Sequence, residues 1–268
     1  MEKTRIGVVG CSGRMGRMIL RTLAAVPECA IAGGTEAPGA AAAGDDIGGL
    51  AGLGPLGMVV GDDPAALFAR CDAVIDFTTP AASAAHAEMA SRARVAHVIG
   101  TTGLDEAQMA TIGRAAAQTA IVHAPNMSLG VNVLLALVTR AAMALDANFD
   151  IEVVEMHHRH KVDAPSGTAL ALGRAAATGR RVDLDAVAQR VRDGITGPRR
   201  RGDIGFATLR GGDVAGDHTV IFAGDGERIE LTHKASSREV FARGAIKAAL
   251  WAHGKPPGLY AMTDVLGL

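Results

Sequence analysis

The apolar positions in the first half of the chain fall in short blocks. Arg5–Val9, Cys29–Gly34, Met58–Val60, Ala73–Phe77, Val95–Ile99 and Ala120–His123 each read as a strand. Between most of them the apolar residues recur at helical spacing, as Met15, Ile19, Leu20 and Leu23 do within 14–25. Such alternation predicts a parallel sheet with helices on both faces. Residues 37–57 are rich in Gly and Ala, carry no period and read as a long loop. Past residue 125 the rhythm changes. A helix over 128–146, a strand over 151–158 and a helix from 167 precede a Gly/Pro/Arg-rich loop at 192–203. The blocks Gly205–Arg210, His218–Ala223 and Arg228–His233 then follow without intervening helices, which predicts a mixed or antiparallel sheet in a second domain. A helix over Ser237–His253 closes the pattern.

Length and composition narrow the function. A chain of 268 residues is long enough for two domains. A net charge of −1 and 3% aromatic residues argue against a nucleic-acid surface, which needs cations and stacking rings. Cys11, Cys29 and Cys71 form neither a disulfide set nor a metal-type pairing, so a reducing compartment and a cytoplasmic location are expected, with no metal. The N-terminus runs straight into a strand and does not read as a signal peptide. The most apolar helix, near Leu129–Leu145, is interrupted by Asn132, Thr139 and Arg140 and reads as a core or interface helix, not a membrane span.

Gly10-Cys11-Ser12-Gly13-Arg14-Met15-Gly16 follows the first strand and opens a helix. Backbone N–H groups at a helix start, unobstructed by side chains, can hold a pyrophosphate. The spacing is G-x-x-G-x-x-G where G-x-G-x-x-G is usual, and a plain Gly-rich turn is the alternative. Glu36 lies about 20 residues beyond Gly16, where an acid reaches the ribose hydroxyls of a dinucleotide. Its carboxylate repels a 2′-phosphate, and Ala37 offers no cation to hold one, so NADH is favoured over NADPH, with Arg14 left as a possible 2′-phosphate partner. Gly100-Thr101-Thr102-Gly103 and Ala124-Pro125-Asn126-Met127 follow further strands, where ligands of such sheets bind.

The most informative stretch is Glu155-Met156-His157-His158-Arg159-His160-Lys161-Val162-Asp163-Ala164-Pro165-Ser166-Gly167-Thr168. Strand alternation puts Ile151, Val153, Glu155 and His157 on one face and His158 on the other. Pro165 suits the first turn of a helix, at whose positive end Ser166, Gly167 and Thr168 present N–H groups and hydroxyls to an anion. Lys161 offers a second anchor, so a dicarboxylate is the natural ligand. An imidazole is a proton donor near neutral pH, and a lysine among other cations can also give up a proton. A solvated basic loop, a metal site on His158 and His160, and a phosphate or nucleic-acid patch are competing readings of the same residues.

Taken together these motifs resemble one family. Gly10…Gly13-Arg14-Met15-Gly16, Val74-Ile75-Asp76-Phe77-Thr78, Gly100–Gly103, His157–Thr168 and His233-Lys234-Ala235-Ser236-Ser237-Arg238 are similar to the 4-hydroxy-tetrahydrodipicolinate (dihydrodipicolinate) reductases of lysine and diaminopimelate biosynthesis. The resemblance implies an α/β chain with a Rossmann-like dinucleotide domain, residues 1–126 and 237–268. It further implies an α+β domain with a mixed sheet, residues 127–236, that binds a small cyclic dicarboxylate and builds a homotetramer. It implies His157 as proton donor and Lys161 as a second acid. His158, Ser166, Gly167, Thr168 and Thr102 become substrate contacts. Gly10, Cys11, Ser12, Gly13, Arg14, Met15, Glu36, Gly100, Thr101, Thr102, Ala124, Pro125, Asn126 and Met127 become the cofactor shell. Some members carry Arg after the acidic residue, where this chain has Ala37. The first 125 residues alone would equally suit another two-domain NAD(P)-dependent oxidoreductase, and a dinucleotide sensor without turnover is the non-enzymatic alternative.

Overall fold

The computed structural model describes residues 2–268 and divides into two compact units, one of residues 2–129 with Glu239–Gly267, the other of Gly130–Arg238 with Leu268. The first unit begins with β1 (Thr4–Val9), α1 (Arg14–Ala24), β2 (Cys29–Thr35), α2 (Ile47–Ala51), α3 (Pro64–Phe68), β3 (Ala73–Asp76), α4 (Pro80–Ala93), β4 (Ala96–Ile99), α5 (Glu106–Ala116) and β5 (Ala120–His123). Side chains start several of these helices. Asp63 caps α3 ahead of Pro64, Thr79 caps α4 ahead of Pro80, and Asp105 forms a capping box with Gln108 on α5. Every residue of β3 and β4 is buried, as strands covered on both faces must be.

The second unit holds α6 (Leu129–Ala144, its first residue in the other unit), β6 (Asp150–His157), α7 (Gly167–Arg180), α8 (Leu184–Val187), β7 (Ala188–Gln189), β8 (Ile204–Arg210), β9 (Gly216–Gly224) and β10 (Glu227–Ala235). Its sheet is mixed, in the order β10-β9-β6-β8-β7, with β6 parallel to β8 and antiparallel to β9. Ile151 and Val153 of β6, Val220 and Phe222 of β9 and Phe206 of β8 form its core with Leu134 and Val138 of α6 and Leu172 and Ala176 of α7.

The chain then returns to the first unit as α9 (Glu239–Ala252), β11 (Gly258–Tyr260) and α10 (Met262–Leu266). The sheet there is wholly parallel, in the order β11-β5-β4-β3-β1-β2. α1 and α9 share one core with Ile6, Val8 and Ile75, while Phe68 with Val74, and Ile112 with Ile99, form further clusters. This is a Rossmann-like architecture.

Three local expectations need correction. The 37–57 loop contains α2, because the Asp46 carboxylate accepts N–H groups from Gly49, Leu56 and Gly57 and so stabilises a short turn of helix without apolar periodicity. Met58–Val60 is not a strand; only isolated bridges, Asp46 to Val59 and Thr35 to Gly61, form there. The helix ending near residue 252 does not close the fold, since β11 adds an edge strand beside β5. Among the described residues no helix is long and apolar enough to cross a membrane.

Candidate functional site

In the first unit the candidate residues gather at the carboxyl ends of β1, β2, β4 and β5. The turn after β1 is built by glycine. Gly10 adopts φ +69, and the N–H groups of Gly10 and Cys11 both donate to the Thr35 carbonyl, at 2.8 and 3.2 Å, which ties the turn to the end of β2. A Cβ on Gly16 would collide with the Gly10 carbonyl and lie 2.6 Å from the Cys11 Cα, so only glycine lets α1 approach β1 here. Gly13 occupies the N-cap of α1 in extended conformation and brings no capping side chain, leaving the helix start to accept an outside anion. The Ser12 N–H already donates to a carboxylate, Oε1 of Glu36, at 2.6 Å. Backbone amides, bare glycines and a carboxylate at the end of β2 fit a dinucleotide.

The structure also shows which groups in this shell can face a ligand. Cys11 is fully buried, and its thiol is pushed up to about 12 by burial and by Glu36, so it offers only its backbone. Ala124 and Met127 are likewise core residues. Gly13, Arg14, Thr102 and Pro125 are exposed, and Ser12, Met15, Glu36 and Asn126 are half-buried. The Asn126 carboxamide oxygen accepts the Ser128 N–H at 2.9 Å and shapes the turn after β5. Gly100 lies against the Phe77 ring, where a side chain would clash.

The motif reading named Asp76, Thr78 and Thr101 but not the buried network they form beneath these loops. The Asp76 carboxylate at the end of β3 is fully buried and accepts the Thr78 N–H at 2.9 Å and the Thr78 hydroxyl at 2.6 Å. Its other oxygen faces His86 Nδ1 at 2.8 Å and His97 Nε2 at 3.3 Å. The Ser83 hydroxyl donates to Thr101 Oγ1 at 2.7 Å. Burial alone would raise the Asp76 carboxyl, but the two histidines hold it well below the usual range; burial pushes His97 down. The available signal was an acid and a histidine inside otherwise apolar strands, since buried polar groups require partners.

In the second unit the candidates lie where β6 ends and α7 begins. Ile151, Val153, Glu155 and His157 alternate as buried positions along β6. Glu155 and His157 therefore share a face, and His157 Nδ1 meets Glu155 Oε2 at 2.6 Å. Arg210 at the end of β8 grips both oxygens of Glu155, at 2.8 and 3.0 Å. The Ser166 N–H donates to Glu155 Oε1 at 3.0 Å. Burial favours a neutral Glu155, yet Arg210, His157 and Ser166 together hold its carboxyl below the ordinary value. The rings of His157 and His218 stand edge to face with centroids 5.0 Å apart. Burial, with the neighbouring His157, lowers His218 to about 4.

Ser166 has a structural part of its own. It is the N-cap of α7; its hydroxyl accepts the Ala169 N–H at 3.1 Å and meets His218 Nε2 at 3.0 Å. With its N–H on Glu155 as well, Ser166 is engaged inside the protein, and Pro165 precedes the cap, outside the first turn. Gly167 remains exposed, with nothing within 4 Å of where a Cβ would stand, and Thr168 is half-buried beside it. Lys161 Nζ pairs with Asp163 Oδ1 at 2.7 Å, and Arg210 also donates to the Asp163 carbonyl at 2.7 Å. His158 turns away from His157, its Nε2 3.5 Å from Arg238; burial and the surrounding cations lower it. His157, His158, Lys161, Ser166, Gly167 and Thr168 thus share one segment, whereas Thr102 stands with the loops of the first unit. Among the described residues no group of three or more His, Cys, Asp or Glu is arranged to hold a metal ion. Glu155, Arg210 and His218 were not singled out in the sequence. For Glu155 the period-2 relation to His157 was read but no role was drawn from it; Arg210 and His218 come from separate strands.

A glycine-built dinucleotide turn on a parallel sheet, with a second unit whose strand ends in an imidazole–carboxylate pair beside a helix start, defines a class: the NAD(P)H-dependent oxidoreductases. Residues 4–127 match the family model "Dihydrodipicolinate reductase, N-terminus", and residues 130–266 match "Dihydrodipicolinate reductase, C-terminus". The chain belongs to the dihydrodipicolinate reductase family. It is 58% identical to the 4-hydroxy-tetrahydrodipicolinate reductase of Dinoroseobacter shibae, over 98% of each chain. It is 56% identical to that of Rhodopseudomonas palustris strain BisB5, over 100% of this chain and 99% of the relative. In fold it is similar to the dipicolinate-bound dihydrodipicolinate reductase from Paenisporosarcina sp. TG-14, with a TM-score of 0.78 at 22% identity over 98% of each chain. It is also similar to an amine dehydrogenase from Mycobacterium smegmatis, with a TM-score of 0.60 at 12% identity over 97% of this chain and 95% of that one.

Proposed function

We propose that His157 is the proton donor, and Lys161 a second acid and carboxylate partner, in the reaction that family membership assigns to this chain. That reaction is the NAD(P)H-dependent reduction of 4-hydroxy-tetrahydrodipicolinate to tetrahydrodipicolinate with loss of water, in lysine and diaminopimelate biosynthesis. The observation that carries the residue assignment is the buried Glu155–His157 pair, 2.6 Å apart, on the segment that leads into the open start of α7. One substrate carboxylate docks at Gly167 and Thr168, drawn by the positive end of the helix, and Lys161 pairs with charge on the same ligand. His158, lowered by burial and by its cationic neighbours, offers a neutral ring to the same ligand.

When bound, the reduced nicotinamide supplies the hydride. The turn at Gly10–Met15 would hold the pyrophosphate, Glu36 would take the ribose hydroxyls, and Gly100–Thr102 with Ala124–Met127 would border the nicotinamide end. Hydride enters the conjugated C=C–C=N system of the dehydrated ring, and the electron pair moves toward nitrogen. The cations at 157–161 stabilise that charge, each such group contributing roughly 10²–10³-fold, and His157 returns one proton to the enamine. Because Glu36 is followed by exposed Ala37, NADH is the favoured reductant. A homotetramer built by the second unit is part of the same reading and is tested by the mass in solution.

The test is absorbance at 340 nm with the condensation product of pyruvate and aspartate semialdehyde, with NADH and NADPH in parallel. Rapid oxidation with this substrate, and faster with NADH, is the expected result. Cofactor binding without oxidation would discard the substrate.

A further inference from the structure

Glu155 is almost inaccessible, at 1% exposure, yet both of its oxygens are committed. Oε1 accepts the Ser166 N–H and one Arg210 N–H, each at 3.0 Å. Oε2 accepts the other Arg210 N–H at 2.8 Å and faces His157 Nδ1 at 2.6 Å. An ionised carboxylate can only accept hydrogen bonds, so the hydrogen of a neutral His157 ring belongs on Nδ1. Nε2 is then the nitrogen through which the ring exchanges a proton. It lies beside Gly216, where a Cβ would come within 3.0 Å of it. The same carboxylate holds the backbone of Ser166, the cap of α7, and Arg210 reaches on to the carbonyl of Asp163, the ion-pair partner of Lys161.

We propose that Glu155 is a positioning residue for the reaction: gripped by Arg210, it holds His157 as the Nδ1–H tautomer with Nε2 toward the substrate, and locks that ring to the anion-binding start of α7. The proposal rests on the reading of His157 as the proton donor. The charged and titratable groups around the ring come from four places. They are Glu155 on β6, Arg210 on β8, His218 on β9, and His158, His160 and Lys161 on the loop that follows. Arg210 is the cation that balances Glu155, because His218 is neutral near pH 7. A bidentate guanidinium also fixes the plane of the carboxylate, and with it the direction offered to Nδ1.

Glu155→Gln keeps the shape and reverses the pattern. Its single carbonyl oxygen belongs where Ser166 and Arg210 both donate, which turns the NH2 group toward His157. The ring must then accept at Nδ1 and carry its hydrogen on Nε2. Imidazole 15N shifts of full-length protein in alkaline buffer read this directly, and the expected result is Nδ1–H in the wild type and Nε2–H in E155Q. In steady state E155Q should lose roughly 10²–10⁴-fold in kcat, with the dicarboxylate KM changed less than about threefold. Glu155→Asp, which keeps the charge, should recover part of the loss. A wild-type ring protonated at Nε2, or a folded E155Q with nearly full kcat, would overturn the proposal. If E155Q does not fold, the wild-type tautomer and E155D decide. A tautomer that switches as expected in a protein that oxidises no NADH with the substrate would overturn the reaction assigned to His157 and support the positioning by Glu155.

Discussion

The Glu36 carboxylate accepts the Ser12 backbone N–H at 2.6 Å, so the acid at the end of β2 and the glycine turn after β1 are one piece of structure. The acid proposed for the ribose hydroxyls is thereby held beside the turn proposed for the pyrophosphate. Ala37, exposed beside it, is where a cation would reach a 2′-phosphate. Ala37→Arg should raise kcat/KM with NADPH about tenfold, the effect of one charge-assisted hydrogen bond, and leave the NADH value within about twofold. Parallel assays with the two cofactors check this; an unchanged ratio would exclude position 37 from 2′-phosphate discrimination.

Gly16→Ala places a methyl against the Gly10 carbonyl and the Cys11 Cα. Both are backbone, so the turn itself must shift. Overpacking of this kind costs about 1–3 kcal/mol. The expected outcome is a lower Tm together with a raised KM for the dinucleotide. A variant with wild-type cofactor affinity would show that the turn does not touch the cofactor.

Asp76 joins the loops after β3 and β4 through Thr78, Ser83 and Thr101. Asp76→Ala leaves two histidines and a threonine facing a buried void, and should cost about 3–5 kcal/mol. The pH dependence has a definite sign. The folded carboxyl lies below its unfolded value, so its stabilisation is complete above the ordinary carboxylate range and lost only as pH falls through the depressed value. The wild type should therefore keep a higher urea midpoint than the variant throughout about pH 5 to 8, and equal midpoints at neutral pH would mean that the buried carboxylate adds no stability.

His157→Ala should lower kcat by roughly 10²–10⁴-fold with little change in KM. Lys161→Ala should both lower kcat and raise KM, because it removes a carboxylate partner along with an acid. If both variants lost only substrate affinity, neither residue would be acting as an acid.

His218 tests the second unit by pH. Burial lowers its folded value to about 4, while the unfolded chain binds a proton near the ordinary histidine value, about 6.5. The unfolded state thus takes up more protons between these limits, and the stability present above about pH 6.5 is lost as pH falls toward 4. The difference is on the order of 3 kcal/mol. His218→Asn should flatten the acid limb of the urea-midpoint profile by about that amount, and an unaltered slope would mean that the ring is protonated in the folded protein.

Much of this protein is legible along the chain because its signals are local. Mostly apolar blocks separated by helical spacing announce a parallel sheet, and the period-2 pattern of β6 puts Glu155 and His157 on one face before any coordinates are known. Where local signals are absent the reading fails. α2 has no apolar stripe and exists because one Asp46 side chain satisfies three backbone amides. β11 is too short to show a period and is a strand because β5 offers an edge.

By itself the sequence determined the α/β class, the glycine turn, the acid at Glu36 and the cluster of chemistry from His157 to Thr168, because residue type and spacing govern backbone freedom and side-chain direction over a few residues. Only the tertiary structure decided what each of those groups does. It brings Arg210 from β8 and His218 from β9 to the end of β6, makes Ser166 the cap of α7, and sets Asp76 against two histidines beneath the loops. The physical reason is burial. A polar group removed from water must find its partners wherever the fold delivers them, and partners supplied by separate strands leave no pattern along the chain.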